Sequence, residues 1–132
     1  MPAFSLNNAV DALLKKEYDV YRHKGEAHPL MRKFGIEAVP MQHPSLEEWR
    51  DNRRGVRYAD PVSNFLFFGA IDDVWLNVDG DVHVVDYKST SVEGAVTLEG
   101  QWKVAYKRQV EMYQWLLRRN DLPVSNTAFF VY

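Results

Sequence analysis

The sequence predicts an α/β or α+β sandwich in which helices cover a mixed β-sheet. A helical pattern opens the chain, a pair of strand-like runs around a tight turn fills the middle, and a second helical pattern precedes a last apolar run. At 132 residues the chain is expected to be one domain over 1–132, with a core that needs no disulfide or metal. Its abrupt end on "FFVY" suggests a domain truncated at the C-terminus.

The first element is predicted to be a helix over "NNAVDALLKKEYDVYRHKG". Gly25 lies where this helix should end, and Asn7 or Asn8 could cap its start. The apolar stripe expected to face the core consists of Val10, Leu13, Leu14, Tyr18 and Tyr21.

Short elements are expected between this helix and the middle of the chain. Three prolines in "EAHPLMRKFGIEAVPMQHP" favour brief helical turns and loops over one long element. Ser45 followed three residues later by Glu48 forms a capping-box pattern, which predicts a helix from 46 to about 54.

The middle of the chain is predicted to be a β-hairpin. "SNFLFFGAIDDVWLNV" is rich in aromatic and branched residues, "DGD" at 79–81 suits the turn, and "VHVVDYKST" is the returning strand. A loop over 91–100 should follow, then a long helix over "QWKVAYKRQVEMYQWLLRRN" and a buried strand in "TAFFVY". Gln109 lies within the apolar stripe of that helix and is expected to be buried with polar partners.

Composition excludes several classes of protein and site. The chain has no cysteine, which rules out disulfides, thiolate zinc sites and cysteine nucleophiles. Without a secretory signal or an apolar run of about 20 residues, it is expected to be soluble and cytoplasmic. A net charge of -2 gives no global attraction to nucleic acid, so such binding would need local basic patches.

Polar residues interrupt the predicted hairpin where its two strands should meet. Asp72 or Asp73 on the first strand should lie near Asp86 and Lys88 on the second, whereas Tyr87 should point to the opposite face. Two carboxylates held close together repel, and a hard cation such as Mg²⁺ resolves that conflict. A lysine beside them could orient or help to deprotonate a water molecule next to a phosphate.

These motifs resemble the core of the PD-(D/E)XK nuclease superfamily, and most closely its RecB-like branch. In that branch a G-x-x-D strand precedes a D-Y-K strand, and a later helix carries Q-x-x-x-Y. The matching segments here are "GAID", "DYK" and "QVEMY". The resemblance covers about residues 66 to 132 well and residues 20 to 35 loosely, and it implies a restriction-endonuclease-like core.

The resemblance implies a role for each matching residue. Asp72 and Asp86 would bind Mg²⁺ or Mn²⁺ together with the carbonyl of Tyr87, and Lys88 would be the catalytic lysine. Gln109 would reach the site from the helix, with Tyr113 supporting it or contacting nucleic acid. Asp73, on the opposite face, would be structural or solvated.

Two features depart from the family pattern or extend it loosely. The branch often has a metal-binding histidine on its first helix, for which His28 is the candidate and His23 a weaker one, although His28 directly precedes Pro29. Some members anchor an iron–sulfur cluster through four cysteines, so this chain would belong to the cluster-free part.

The function that the resemblance implies is metal-dependent hydrolysis of DNA phosphodiester bonds, as an exonuclease or a repair or recombination nuclease. DNA contacts are expected from Arg53, Arg54 and Arg57 and from Lys107 and Arg108, with a protein partner or oligomer left open. An inactive nucleic-acid-binding module of the same fold is the main alternative. A two-carboxylate glycosidase is a weaker one, because it has no use for Lys88.

Overall fold

Helices cover both faces of a mixed sheet in the computed structural model, which describes residues 2–88 and 99–131. This confirms the predicted fold class. The helices are α1 (Pro2–Lys24), α2 (Pro29–Lys33), α3 (Leu46–Arg50) and α4 (Glu99–Arg119). The strands are β1 (Ala38–Pro40), β2 (Val56–Ala59), β3 (Leu66–Gly69), β4 (Asp73–Asn77), β5 (Val82–Tyr87) and β6 (Phe129–Val131).

The main sheet has the strand order β1-β4-β5-β6. β4 pairs antiparallel with β1 and β5, whereas β5 and β6 run parallel. β5 is therefore a central strand, and all six of its residues are buried. Val82 and Val84 belong to the core cluster that includes residues of α4, whereas Val85 belongs to the second core cluster with Tyr18 of α1. The alternation of strand side chains thus gives each face of the sheet its own core.

The first helix forms as predicted and ends at the expected glycine, but it begins earlier. Gly25 follows it with a φ of +70°, a conformation that glycine adopts at little cost. Asn7 and Asn8 lie inside the helix, so the prediction that one of them caps it was wrong. Leu13 is 65% exposed and does not belong to the core stripe, whereas Tyr18 is fully buried.

The predicted first hairpin strand is in fact two strands that belong to different sheets. β3 pairs with β2 in a separate two-stranded hairpin, and the chain then crosses to the main sheet, where β4 begins at Asp73. Composition alone could not show this break, because apolar residues continue across it. The turn at 79–81 is confirmed, with Gly80 at a φ of +86°.

Three further expectations for local structure need correction. α3 begins as predicted but ends at Arg50, and Ser45 makes no side-chain capping bond. Reciprocal capping occurs instead at α2, where Leu30 N donates to His28 Nδ1 and His28 N donates to Met31 Sδ. β1 was missed because it is a three-residue edge strand that ends on a proline.

The last two elements form where they were predicted, although β6 is only partly buried and not the buried strand that was expected. α4 covers the predicted long helix and includes Gly100, which had been placed in the preceding loop. Of that predicted loop, residues 91–98 lie outside the described part of the chain. β6 forms in the "TAFFVY" segment beside β5. No helix in the described ranges is long and apolar enough to cross a membrane.

A buried charge network ties α1 and α3 to the sheet. Asp73, which has no exposed surface, forms ion pairs with Arg22 of α1 and with Arg50 of α3, the latter at 3.2 Å. The hydroxyl of Tyr87 donates to the second oxygen of Asp73 at 2.5 Å. Asp19 contacts both guanidinium groups, so two carboxylates balance two cations. Asp73 was expected to be structural or solvated, and it is a buried structural residue.

Removing the carboxylate from the centre of this network should be strongly destabilising. Asp73→Ala would leave the Arg22 and Arg50 cations to share one carboxylate, Asp19, at a cost of about 3–5 kcal/mol of unfolding free energy. Tyr87→Phe removes one buried hydrogen bond and should cost about 1–3 kcal/mol. Urea unfolding would measure both, with Asp79→Ala in the exposed turn as a control expected to change stability by less than about 0.5 kcal/mol. A smaller cost for Asp73→Ala than for Tyr87→Phe would contradict this role.

Candidate active site

The two aspartates selected from the sequence lie side by side at one end of the β4–β5 pair. Asp72 directly precedes β4, and its Oδ2 accepts a hydrogen bond from the backbone N–H of Tyr87 at 2.9 Å. This bond extends the contact between the strands past the last ladder pair, Asp73 with Val85. Asp86, one residue earlier on β5, is 4% exposed, and its side chain is within hydrogen-bonding reach of the Asp72 carboxyl.

The closeness of these carboxyl groups perturbs the chemistry of Asp72. Burial raises the pKa of Asp72 to about 7, and the hydrogen bond and charge of Asp86 add to this effect. The Tyr87 N–H and Lys15 act in the opposite direction, because both favour the carboxylate. Near neutral pH the pair therefore holds a proton for part of the time, unless a cation replaces it.

Lys88 closes the site on the side that faces α4. Its Nζ lies 2.5 Å from Asp86 Oδ2 and 3.4 Å from Gln109 Oε1. The same ammonium lies 3.9 Å from the centroid of the Tyr106 ring, in cation–π geometry. The backbone of Lys88 is fixed as well, because its N–H donates to Val131 O of β6 at 2.7 Å.

Gln109 and Tyr113 are brought to the same place by one turn of α4. Gln109 Nε2 donates to the Tyr113 hydroxyl oxygen at 3.0 Å, which turns the amide oxygen towards Lys88. Burial, followed by the charge of Asp86, raises the pKa of Tyr113, so its phenol stays protonated near neutral pH. Gln109 is exposed rather than buried, which corrects the expectation drawn from the apolar stripe.

The packing of α4 explains why the first residue of the G-x-x-D segment, Gly69, is a glycine. A Cβ added to Gly69 would lie 2.9 Å from Cε1 of Tyr113 and 3.4 Å from Leu116. β3 can therefore lie against α4 at this point because residue 69 has no side chain. The three sequence segments thus meet through successive contacts, from Gly69 to Tyr113, Gln109, Lys88 and the aspartates.

His28 is engaged in a different set of contacts. Its Nδ1 accepts from Leu30 N at 3.0 Å, its Nε2 lies 2.6 Å from Glu17 Oε1, and its ring stacks on Tyr18. With Nδ1 acting as an acceptor, Nε2 carries the proton and donates to Glu17. Neither ring nitrogen offers a free lone pair, so metal binding by His28 would require one of these bonds to break. His23, the weaker candidate, is exposed.

Two neighbours of Asp72 were not predicted. Lys15 of α1 lies 3.7 Å from Asp72 Oδ1 and 3.1 Å from Asp11, one helical turn earlier. Arg50 donates from Nε to the backbone oxygen of Asp72 at 2.9 Å and so joins the site to the buried charge network. Since these contacts span long sequence separations, no local pattern could have shown them.

The predicted nucleic-acid contacts remain on the surface. Arg53, Arg54 and Arg57 are exposed after α3, as are Lys107 and Arg108 on α4. Arg57 donates to the backbone oxygens of Arg54 and Arg53, which holds its guanidinium against that loop. Arg50, which precedes these arginines in the sequence, belongs instead to the partly buried network.

The donor set suits a hard divalent cation. Asp86 Oδ2 is buried and accepts no hydrogen bond of good geometry among the described residues, although Lys88 forms an ion pair with it. Asp72 supplies a second carboxylate, and the Tyr87 carbonyl belongs to the residue between Asp86 and Lys88. The described residues contain no cluster of three or more His, Cys, Asp or Glu side chains for a metal. Two carboxylates with backbone and water ligands is an arrangement that Mg²⁺ accepts.

A family model of the PD-(D/E)XK nuclease superfamily matches residues 5–132, nearly the whole chain. The chain belongs to this superfamily. No curated protein and no solved structure matched it.

Membership of the superfamily indicates the general class of reaction and substrate. Enzymes of the PD-(D/E)XK superfamily are nucleases that typically use divalent metals, and their substrates are nucleic acids. The mixed sheet flanked by helices is consistent with their restriction-endonuclease-like fold. The ion pair of Lys88 with Asp86 at 2.5 Å also argues against a two-carboxylate glycosidase, which has no use for this lysine.

The raised pKa of Asp72 makes stability depend on pH in a defined direction. Between the ordinary value of 3.8 and about 7, the folded chain binds more protons at this site than the unfolded chain. The free energy of unfolding should therefore fall as pH rises through this window, and the penalty should be complete above about pH 7. Asp72→Asn removes this penalty. The substitution should therefore raise the free energy of unfolding more at pH 8 than at pH 4.5, by on the order of 2–3 kcal/mol.

Urea unfolding with EDTA at both pH values would measure this difference. Asp79→Asn removes the same charge from the exposed turn and should give no comparable difference between the two pH values. An Asp72→Asn effect of equal size at both would contradict the raised pKa.

The contact between Gly69 and Tyr113 can be tested with a double-mutant cycle. Gly69→Ala should cost about 1–3 kcal/mol of unfolding free energy, because the added methyl group meets the Tyr113 ring. Tyr113→Ala makes room for that methyl group, so the second substitution should cost less in its background. Strictly additive costs would show that the methyl group meets a different obstacle.

Proposed function

We propose that the chain is a Mg²⁺- or Mn²⁺-dependent deoxyribonuclease that hydrolyses DNA phosphodiester bonds. We further propose that it belongs to the RecB-like branch, acts as an exonuclease or in repair or recombination, and works in the cytoplasm. The observation that carries the enzymatic proposal is the contact of Asp72 and Asp86 at a strand end, with Lys88 ion-paired to one of them. A structural role would not require Asp72 to lie beside a second carboxyl group whose charge raises its pKa.

Asp72, Asp86 and the Tyr87 carbonyl are the proposed metal ligands. When bound there, a divalent ion supplies Lewis-acid activation of a phosphodiester and of a water molecule. The two carboxylates provide the negative charge that selects a cation, and the central strand β5 fixes Asp86 in place. His28 is left out of this set, because both of its ring nitrogens are already engaged.

Lys88 is the proposed catalytic residue beside these ligands. Its ammonium has three N–H donors, and the contacts with Asp86 and Gln109 leave capacity for a phosphate oxygen or a water molecule. Gln109 is a positioning residue that holds the ammonium, and Tyr113 fixes the orientation of its amide. Arg53, Arg54, Arg57, Lys107 and Arg108 would bind backbone phosphates in a salt-dependent, sequence-independent way.

Digestion of end-labelled oligonucleotides and circular plasmid tests this proposal. The wild-type protein should cleave DNA with Mg²⁺ or Mn²⁺ and not with EDTA, and cleavage of the circular plasmid would identify an endonuclease. Asp86→Asn and Lys88→Met should each lower the rate by at least about 100-fold, because each removes a group at the reacting phosphate. Asp79→Asn should be unaffected.

Two results would contradict the proposal. Metal-dependent cleavage that persists in both variants would show that the site lies elsewhere. Binding of DNA without cleavage under either metal would favour the alternative, a nucleic-acid-binding module of the same fold. Circular dichroism of each variant would verify that it is folded.

A further inference from the structure

The β2–β3 hairpin has an apolar outer face, which is unusual for a two-stranded sheet that projects beside a larger one. Its inner face packs on α4, where Tyr58 and Phe67 contact Trp115 edge-on at 5.4 and 5.3 Å. On the outer face Phe68 and Leu66 are each 55% exposed, and the preceding Phe65 is 65% exposed. Strand alternation normally places polar residues at such positions. Adjacent exposed apolar side chains of this kind mark an interaction site.

The charged residues around this face are mostly basic. Arg57 lies directly opposite Phe68 in the register of the hairpin. Arg53 and Arg54 precede it and are exposed, and their backbone oxygens hold the Arg57 guanidinium. Two acids are nearby, but Asp51 is paired with Arg54 at 3.5 Å, and Asp60 accepts hydrogen bonds from Ser63. Flat rings beside guanidinium groups match a partner that has both π-faces and phosphates.

The hairpin is also joined to the candidate active site. β3 ends at Gly69 against Tyr113, which holds Gln109 beside Lys88. Phe68 precedes Asp72 by four residues, so their Cα atoms are at most about 14 Å apart. A strand bound at the carboxylate pair could therefore place a nearby base on the hairpin.

From these observations we propose that the outer face of the β2–β3 hairpin binds single-stranded DNA by stacking unpaired bases on Phe68 and Phe65, with Arg57 on the phosphates. This assignment rests on the proposed function, since it makes the hairpin a substrate-binding surface of the nuclease. Unpaired bases are the ligand because the faces of paired bases are already stacked within a duplex. Stacking on aromatic rings tolerates any base, so the surface would be indifferent to sequence.

Fluorescence anisotropy with a labelled oligothymidylate about 16 nucleotides long, in EDTA to prevent cleavage, measures the proposed contact. Phe68→Ala should weaken binding by about 5- to 100-fold, the loss expected for one stacked base. Binding of a blunt duplex of equal length should change by less than about threefold. Phe68→Tyr should retain affinity, whereas Phe68→Leu should behave like Phe68→Ala, because a leucine keeps apolar contact but provides no ring.

Phe34, which follows α2 and is not part of the hairpin, offers a matched control. It is 69% exposed and, like Phe68, has a basic neighbour, since Lys33 Nζ lies 5.7 Å from its ring centroid. Phe34→Ala should leave the affinity for single-stranded DNA unchanged. An equal loss for Phe34→Ala and Phe68→Ala would contradict a specific surface on the hairpin.

Other occupants give different results. If the face binds a second copy of the chain, sedimentation velocity would show a dimer that Phe68→Ala dissociates, with DNA affinity unchanged, and the inference would be overturned. The two proposals can also fail separately. Wild-type cleavage with unaltered binding by Phe68→Ala would reject the hairpin alone. Stacking without any metal-dependent cleavage would reject the nuclease and leave a single-strand-binding surface.

Discussion

The buried Asp73 carboxylate joins α1 and α3 to the two central strands of the main sheet. It lies at the first residue of β4 and binds guanidinium groups from α1 and α3 and the phenol of Tyr87 from β5. Four segments that are distant in sequence thereby meet at one point. Burial and the charge of Asp73 raise the pKa of Tyr87, so its hydroxyl remains protonated and continues to donate. The charged groups at this junction have lost their contact with water and are compensated by one another, so removing one of them is costly.

The candidate active site is built on the opposite side of the same junction. Asp72 and Asp73 are adjacent, yet Asp73 pairs with Arg22 of α1, whereas Asp72 lies beside Asp86, which is ion-paired with Lys88. On β5, Tyr87 likewise contacts Asp73, whereas its neighbour Asp86 contacts Lys88. Arg50 connects the two sides, since it pairs with Asp73 and also donates to the backbone oxygen of Asp72. Rigid charge pairing on one face can therefore hold a mutually repelling carboxylate pair in position on the other.

Local patterns in the sequence predicted the elements that have strong local signals. The two long helices, the turn at Gly80 and the buried strand β5 follow from periodicity and turn chemistry, and the convergence of Asp72, Asp86 and Lys88 follows from strand alternation. The split between β3 and β4 did not, because both segments are apolar and sheet membership depends on distant partners. The ion pair of Lys15 with Asp72 and the packing of Gly69 on Tyr113 are likewise tertiary facts.

We propose that Asp72, Asp86 and the carbonyl of Tyr87 form a divalent metal site. A crystal structure of the protein soaked with Mn²⁺, with anomalous diffraction to locate the ion, tests it most directly. We expect an anomalous peak within coordination distance of both carboxylates and of that carbonyl, at about 2.0–2.6 Å. A peak at His28 and Glu17, with none at the aspartate pair, would contradict it.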